Sequence, residues 1–249
     1  MYTPIIYQDS NVIVYDKPAG MPSAPINAND TKITALSKMI EICPDILSVQ
    51  GKKQIEYGLV HRIDTATRGL LLAAKNQETF DLIQKDQTEG KFVKFYTAFC
   101  LSSSFKKPPF SISTRFRPFG PHKAKVEPVT KDSGRAALKK SGTKVYTTNI
   151  LDIVPLNKSQ LPSHNIYSYE NIQTHTQVLR VTCKINQGYR HQVRAHLTFL
   201  NLPIIGDKLY GKPIENIPMC FFATGLTFNT PEKKINITLP EQLFFPDIF

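Results

Sequence analysis

The residues with the clearest chemical potential are His61-Arg62-Ile63-Asp64-Thr65-Ala66-Thr67-Arg68-Gly69-Leu70-Leu71-Leu72-Ala73-Ala74-Lys75. A carboxylate follows a basic pair, a polar turn follows the carboxylate, and the run Gly69 to Ala74 has the apolar character of a buried strand. An Asp at the mouth of such a strand is held rigidly while its oxygens face outward, which suits a nucleophile or a general base. The ordinary alternative is an Asp that caps a turn and pairs with Arg62. The same weighing applies elsewhere. Tyr96 alternates with other aromatics on a strand-like run, where a tyrosine is usually core. Arg190 and Arg194 are four apart on a helical stretch, where arginines are usually solvated. Under period-two alternation Lys94 shares the side of Tyr96 and so faces whatever Tyr96 faces.

The elements that must position these groups follow from pattern and punctuation. Ile5 to Tyr7 and Val12 to Tyr15 read as a hairpin, and Thr31 to Cys43 as a helix with Ile33, Leu36, Met39 and Ile40 inward. Ile55 to Val60 is expected to be a strand that delivers His61 to Asp64. Gln77 to Gln87 reads as a helix, Phe92 to Leu101 as a strand, Val145 to Val154 and Gln177 to Ile185 as strands, and Arg190 to Leu200 as a helix. Phe221 to Phe228 with Lys234 to Leu239 reads as a closing hairpin. Strands arrive in runs, so the class is α+β with a mixed, largely antiparallel sheet and flanking helices. The polar stretch 155–176 exceeds an ordinary hairpin loop and reads as an insertion.

With 249 residues and 41% hydrophobic content, the chain can bury a real core. Its formal net charge is +11, a balance that suits a polyanionic partner. The excess is concentrated. Residues 115–144 hold nine Lys and Arg against Glu127 and Asp132, and are broken by prolines and glycines, so a loop and hairpin gripping a polyanion's backbone through Arg115, Arg117, Lys123 and Lys125 is expected. The four cysteines lack metal-ligand spacing and read as core thiols in a reducing compartment. His191 and His196 are five apart, unsuited to two ligands on one helix face, so no metal is expected. No opening segment reads as a signal peptide and no apolar run reaches membrane length, so a soluble, cytoplasmic monomer is expected.

The stretch around Asp64 resembles the signature H-R-L-D-x-x-T-S-G-L-L-L-x-A-K of the RluA-type RNA pseudouridine synthases. Three further segments are similar to that family's motifs in the same order: Asp16-Lys17-Pro18-Ala19-Gly20, Lys94-Phe95-Tyr96-Thr97-Ala98, and Gly188 to Leu197 followed by Pro203 to Gly211. The resemblance implies a single catalytic domain over residues 1–249, whose sheet is split into two halves by a central catalytic cleft; no S4-type RNA-binding domain is expected before it, because few residues precede Asp16. It implies isomerisation of uridines in ribosomal or transfer RNA without metal or cofactor. Asp64 would be the essential carboxylate, Tyr96 the ring that packs on the target uracil, and Arg194 the ion partner of Asp64. Arg62, His61, Lys94, Arg190, His191 and Gln192 would contact the RNA. The residue types leave open whether Asp64 attacks the ribose, attacks the base or removes a ribose proton. Two other classes compete: a binding-only RNA module, which has no need of Asp64, Tyr96 and Arg194 together, and a hydrolase using Asp64 with His61, which lacks a second carboxylate or nucleophile at useful spacing. The chain departs from the family pattern at Arg68 (a small residue in the family), at Tyr189 (an Arg in the family, with Arg190 here one place later) and at Met21 to Pro25.

Overall fold

The computed structural model describes residues 3–157, 177–211 and 217–244. Among these, ten strands and four helices give a mixed, mostly antiparallel α+β fold, as expected. The chain gathers into two compact units, one of Met1–Phe95 with Phe222–Phe244, the other chiefly of Tyr96–Phe221.

In the first unit β1 (Ile5–Gln8) pairs with β2 (Val12–Lys17), and β2 with β3 (Arg68–Ala74), all antiparallel. The β9 strand (Phe221–Asn229) lies parallel to β3, with Gly69 opposite Ala223, and β10 (Lys234–Thr238) closes the edge against β9. Every residue of β2 and β3 is buried, which explains their near-continuous apolar runs. Burying Leu70, Leu71 and Leu72 contributes roughly 1.5–3 kcal/mol each. Gly69 is required: its φ is 125°, and a Cβ there would lie 2.3 Å from the Ala223 carbonyl oxygen. Two helices complete this unit. α1 (Ala35–Ile42) starts at Thr34, whose side chain forms a capping box with Ser37. Consequently Ile33 lies before the helix and is exposed, not inward as expected. α2 (Gln77–Glu89) runs from an Asn76 cap to a left-handed Gly90 and buries Phe80 and Ile83. The expected strand from Ile55 to Val60 does not form. A short 3-10 turn covers Gln54–Glu56, Tyr57 takes a positive φ of 43°, and only Leu59 bridges a strand residue, Ala73.

In the second unit the neighbours run β4 (Val93–Ser102), β8 (Gln177–Ile185), β7 (Tyr146–Leu156), β5 (Phe110–Phe119), β6 (Lys125–Val129). The basic segment is therefore an ordered hairpin, β5–β6, followed by a short helix α3 (Arg135–Lys140) that the residue pattern does not announce. α4 (Gln192–Phe199) carries the last motif and buries six of its eight residues. Of the expected insertion, residues 155 and 156 complete β7, and 158–176 lie outside the described residues. All four cysteines are buried and free. Among the described residues no helix is long and apolar enough to cross a membrane.

Candidate active site

Asp64 sits in a turn closed by the Thr67 amide donating to the Asp64 carbonyl, just before β3. The turn is braced from both sides. Ser23 Oγ donates to the Ile63 carbonyl at 2.7 Å and accepts from the Ile63 amide at 3.2 Å. On the other side Lys17, fully buried, donates from Nζ to the carbonyls of Pro18 (2.9 Å), Met21 (2.7 Å) and Thr65 (3.1 Å). The Gly20 amide donates to the same Thr65 carbonyl. Burial lowers the Lys17 pKa to about 7, against the opposing pull of the Asp64 and Asp16 charges. Thus the Asp16-Lys17-Pro18-Ala19-Gly20 segment holds the backbone on which Asp64 stands.

Two of the three departures from the family pattern lie in this first unit, and the third, Tyr189, in the second. Arg68 is buried, and its guanidinium pairs with Asp16 at 2.8 Å, tying β3 to β2. Ser23, from the divergent Met21 to Pro25 stretch, is the residue that clamps Ile63. Tyr189 stacks flat on Phe116, with ring centroids 5.0 Å apart and an interplanar angle of 6°.

The remaining first-unit candidates separate. Arg62 is exposed and lies 3.5 Å from Glu56. His61 is a core residue, a position that offers RNA no direct contact: its Nε2 accepts from the Leu72 amide, and its ring lies 5.4 Å from that of Phe92. Burial, then the charges of Lys94 and Lys52, hold its pKa well below the usual imidazole value. Lys94 is half-buried, with Nζ 5.5 Å from the Phe92 ring centre. Burial and the Lys52 charge bring its pKa to about 8.

In the second unit Tyr96 is buried and stacks on Phe221 at 5.2 Å and 13°. Arg194 is buried in a two-pronged pair with Asp207, Nε and Nη2 each at 2.8 Å. Its guanidinium also lies 5.2 Å from the Tyr210 ring centre. Burial pushes the Asp207 carboxyl up, but Arg194 and the amides of Leu209 and Tyr210 outweigh it, and the net shift is downward. Asp207 and Tyr210 lie within the quoted Pro203 to Gly211 motif, so the signal for them was present without a role attached. Tyr210 Oη accepts from the Val126 amide and bonds His191 Nδ1 at 3.1 Å.

Three of the residues expected to touch RNA make bonds within the protein. Gln192 is buried; its Oε1 accepts from the Tyr189 amide and its Nε2 donates to the Thr147 carbonyl and Thr148 Oγ1. Arg190 donates from Nη2 to the carbonyls of Lys123 and Lys125. Arg117 pairs with Glu127 across the hairpin. Arg115 and Lys123 are exposed, and Lys125 is half-buried near the Tyr210 ring. His196, which the motif includes, is a buried structural histidine. Each ring nitrogen bonds a threonine hydroxyl, Thr114 and Thr148, both at 2.8 Å. Burial lowers its pKa to about 4.

Comparison with known proteins identifies the family. The RNA pseudouridylate synthase family matches residues 11–199, and the chain belongs to that family. It is 29% identical over 211 residues to a ribosomal large subunit pseudouridine synthase D of Borreliella burgdorferi, covering 84% of this chain and 54% of that protein. A protein of the same description from Pseudomonas aeruginosa is 25% identical, covering 83% and 53% respectively. The chain spans about half the length of these curated relatives. In structure it is similar to human RNA pseudouridylate synthase domain containing 1, with a TM-score of 0.67, 19% identity, and coverage of 97% of this chain and 84% of that one. At that identity the likeness concerns the fold.

Proposed function

We propose that this chain isomerises specific uridines of RNA to pseudouridine, with Asp64 as the essential carboxylate. The observation that carries the reading is the braced turn under Asp64 in a chain of this family: three side-chain and backbone clamps fix one carboxylate-bearing residue at a strand mouth. In the reaction the N1–C1′ bond breaks, the uracil turns, and a C5–C1′ bond forms; C5 loses a proton and N1 gains one. The step requires a fixed carboxylate and a surface to hold the detached base, and no net redox change. Tyr96, backed by Phe221, offers a flat ring for the uracil. Arg194, with its guanidinium plane set by Asp207, supplies the cationic group of the reading. The reading assigns the three their roles on a uridine flipped out of its stack. The relatives' descriptions favour ribosomal over transfer RNA as the substrate.

The test is chemical mapping of pseudouridine in ribosomal and transfer RNA incubated with the protein. Asp64→Asn keeps the shape but removes the charge and the nucleophile. Product should vanish while RNA affinity stays within about tenfold, ~1.4 kcal/mol. Turnover retained by pure Asp64→Asn protein refutes the assignment.

A further inference from the structure

The tip of the β5–β6 hairpin carries a feature that the uridine chemistry does not use. Arg115, Arg117 and Phe119 alternate along β5 and share one face. Phe119 ends that row as an exposed aromatic, 46% accessible. It is not a stray apolar residue at a loop, because the Arg117 guanidinium lies 5.3 Å from its ring centre and is itself fixed by Glu127. The tip beyond it is held in a costly backbone shape. Gly120, His122 and Lys123 have φ of 76°, 51° and 57°, and the latter two pay for a conformation that side-chain-bearing residues avoid. What opposes that strain is Arg190, whose Nη2 donates to both the Lys123 and the Lys125 carbonyl. Arg190 stands next to Tyr189, which is stacked on Phe116 of the same hairpin. The result is a rigid tip with an open aromatic ring, exposed His122 and Lys123 beside it, and Arg115 further along the strand. Among the described residues Arg115 and Lys123 have no ion-pair partner.

Flat rings interleaved with cations suit a single-stranded nucleic acid, in which bases stack and phosphates pair. We propose that the hairpin tip binds an unpaired nucleotide of the RNA, its base stacked on Phe119 and its neighbouring phosphate on Lys123, with Arg190 as the positioning residue that keeps the tip in shape. This rests on the RNA reading above and adds a second, non-reacting nucleotide site to it.

The chain contains no tryptophan, so Phe119→Trp introduces a sole indole reporter at the site. The full chain carrying it is titrated with single-stranded oligouridylate and, separately, with an abasic oligomer of equal phosphate number. Indole emission should fall about twofold or more with oligouridylate and stay nearly constant with the abasic oligomer. Equal quenching by both, or by neither, overturns the stacking site. Phe119→Leu, which keeps apolar bulk at an exposed position, should weaken oligouridylate binding about tenfold; unchanged affinity also overturns it. For Arg190 the readout is tryptic cleavage after Lys123. Arg190→Gln should speed it several-fold and weaken the quenching titration, with Arg190→Lys restoring part of both. Unchanged cleavage overturns the positioning role. The two levels of the reading fail separately: quenching without pseudouridine product sinks the catalytic proposal alone, and product without quenching sinks this site alone.

Discussion

The two units hold their functional residues by different means. Around Asp64 the first unit uses backbone: a buried lysine gathers three carbonyls and a serine clamps a peptide. Around Arg194 the second unit uses side chains: a guanidinium locked by a carboxylate and packed on Tyr210, with Tyr189 stacked on Phe116 and Tyr146 tilted against both. Under the proposed function the difference matches what each would deliver: a reacting carboxylate needs its main chain immobile, whereas groups that receive RNA need their planes set. The units share one device, a buried Arg–Asp pair: Asp16 with Arg68 in the first, Asp207 with Arg194 in the second.

Breaking those pairs is the strongest way to separate the units. Arg68→Met leaves Asp16 buried without its guanidinium and should cost about 3–5 kcal/mol in urea unfolding, and Arg194→Met should do the same to Asp207. Adding Asp16→Asn to Arg68→Met should recover much of the loss. A surface-like cost below about 1 kcal/mol for either single variant would mean the pair is not held as described.

Acid sharpens the comparison next. His196 has a folded pKa of about 4 against an ordinary 6.5, so between those values the unfolded chain binds the extra proton. Its contribution is intact above pH 6.5 and is lost as pH falls to about 4, on the order of 3 kcal/mol in total. His61 is shifted the same way in the first unit. Unfolding midpoints across this range should slope downward toward acid, and His196→Gln should flatten the part belonging to the second unit. A flat profile in the parent protein would contradict both burials.

Lys17→Met should cost about 1–3 kcal/mol, since three carbonyls lose a shared donor. It should lower turnover more than RNA affinity, measured at saturating and limiting RNA. An equal fall in both would make Lys17 a general stabiliser and not a brace under Asp64. The mildest change is neutralising Arg115, Arg117, Lys123 and Lys125 together. Because Arg117 is already paired with Glu127, the salt dependence should flatten by fewer contacts than four, each somewhat under one unit on flexible strands. Turnover at saturating RNA should hold. An unchanged slope would place the RNA track elsewhere.

Much of this was legible in the residues, and the rest was hidden for physical reasons. The strands β2, β3 and β9 follow directly from apolar runs, and Asp64 from its place before one of them. The strand expected at Ile55 to Val60 failed because apolar residues there pack through a 3-10 turn, with the Gly58 backbone against Ala74. Arg68 read as a departure from pattern, yet its partner Asp16 is 52 residues away, a distance no local spacing encodes. The bonds of Arg190 and Gln192 to main-chain carbonyls were not legible, because a helix face shows which way a side chain points but not which carbonyl waits there.

Lys17 has a consequence for chemical labelling. An amine with a pKa near 7 is a far better nucleophile at neutral pH than an ordinary lysine, yet this one has no accessible surface. Acylating reagents should therefore modify the exposed lysines at once and Lys17 only when its enclosure opens. The rate at which Lys17 acquires a label, followed by peptide mass, becomes a clock for the breathing of the Asp64 turn, and a bound RNA that slows that clock has reached the carboxylate.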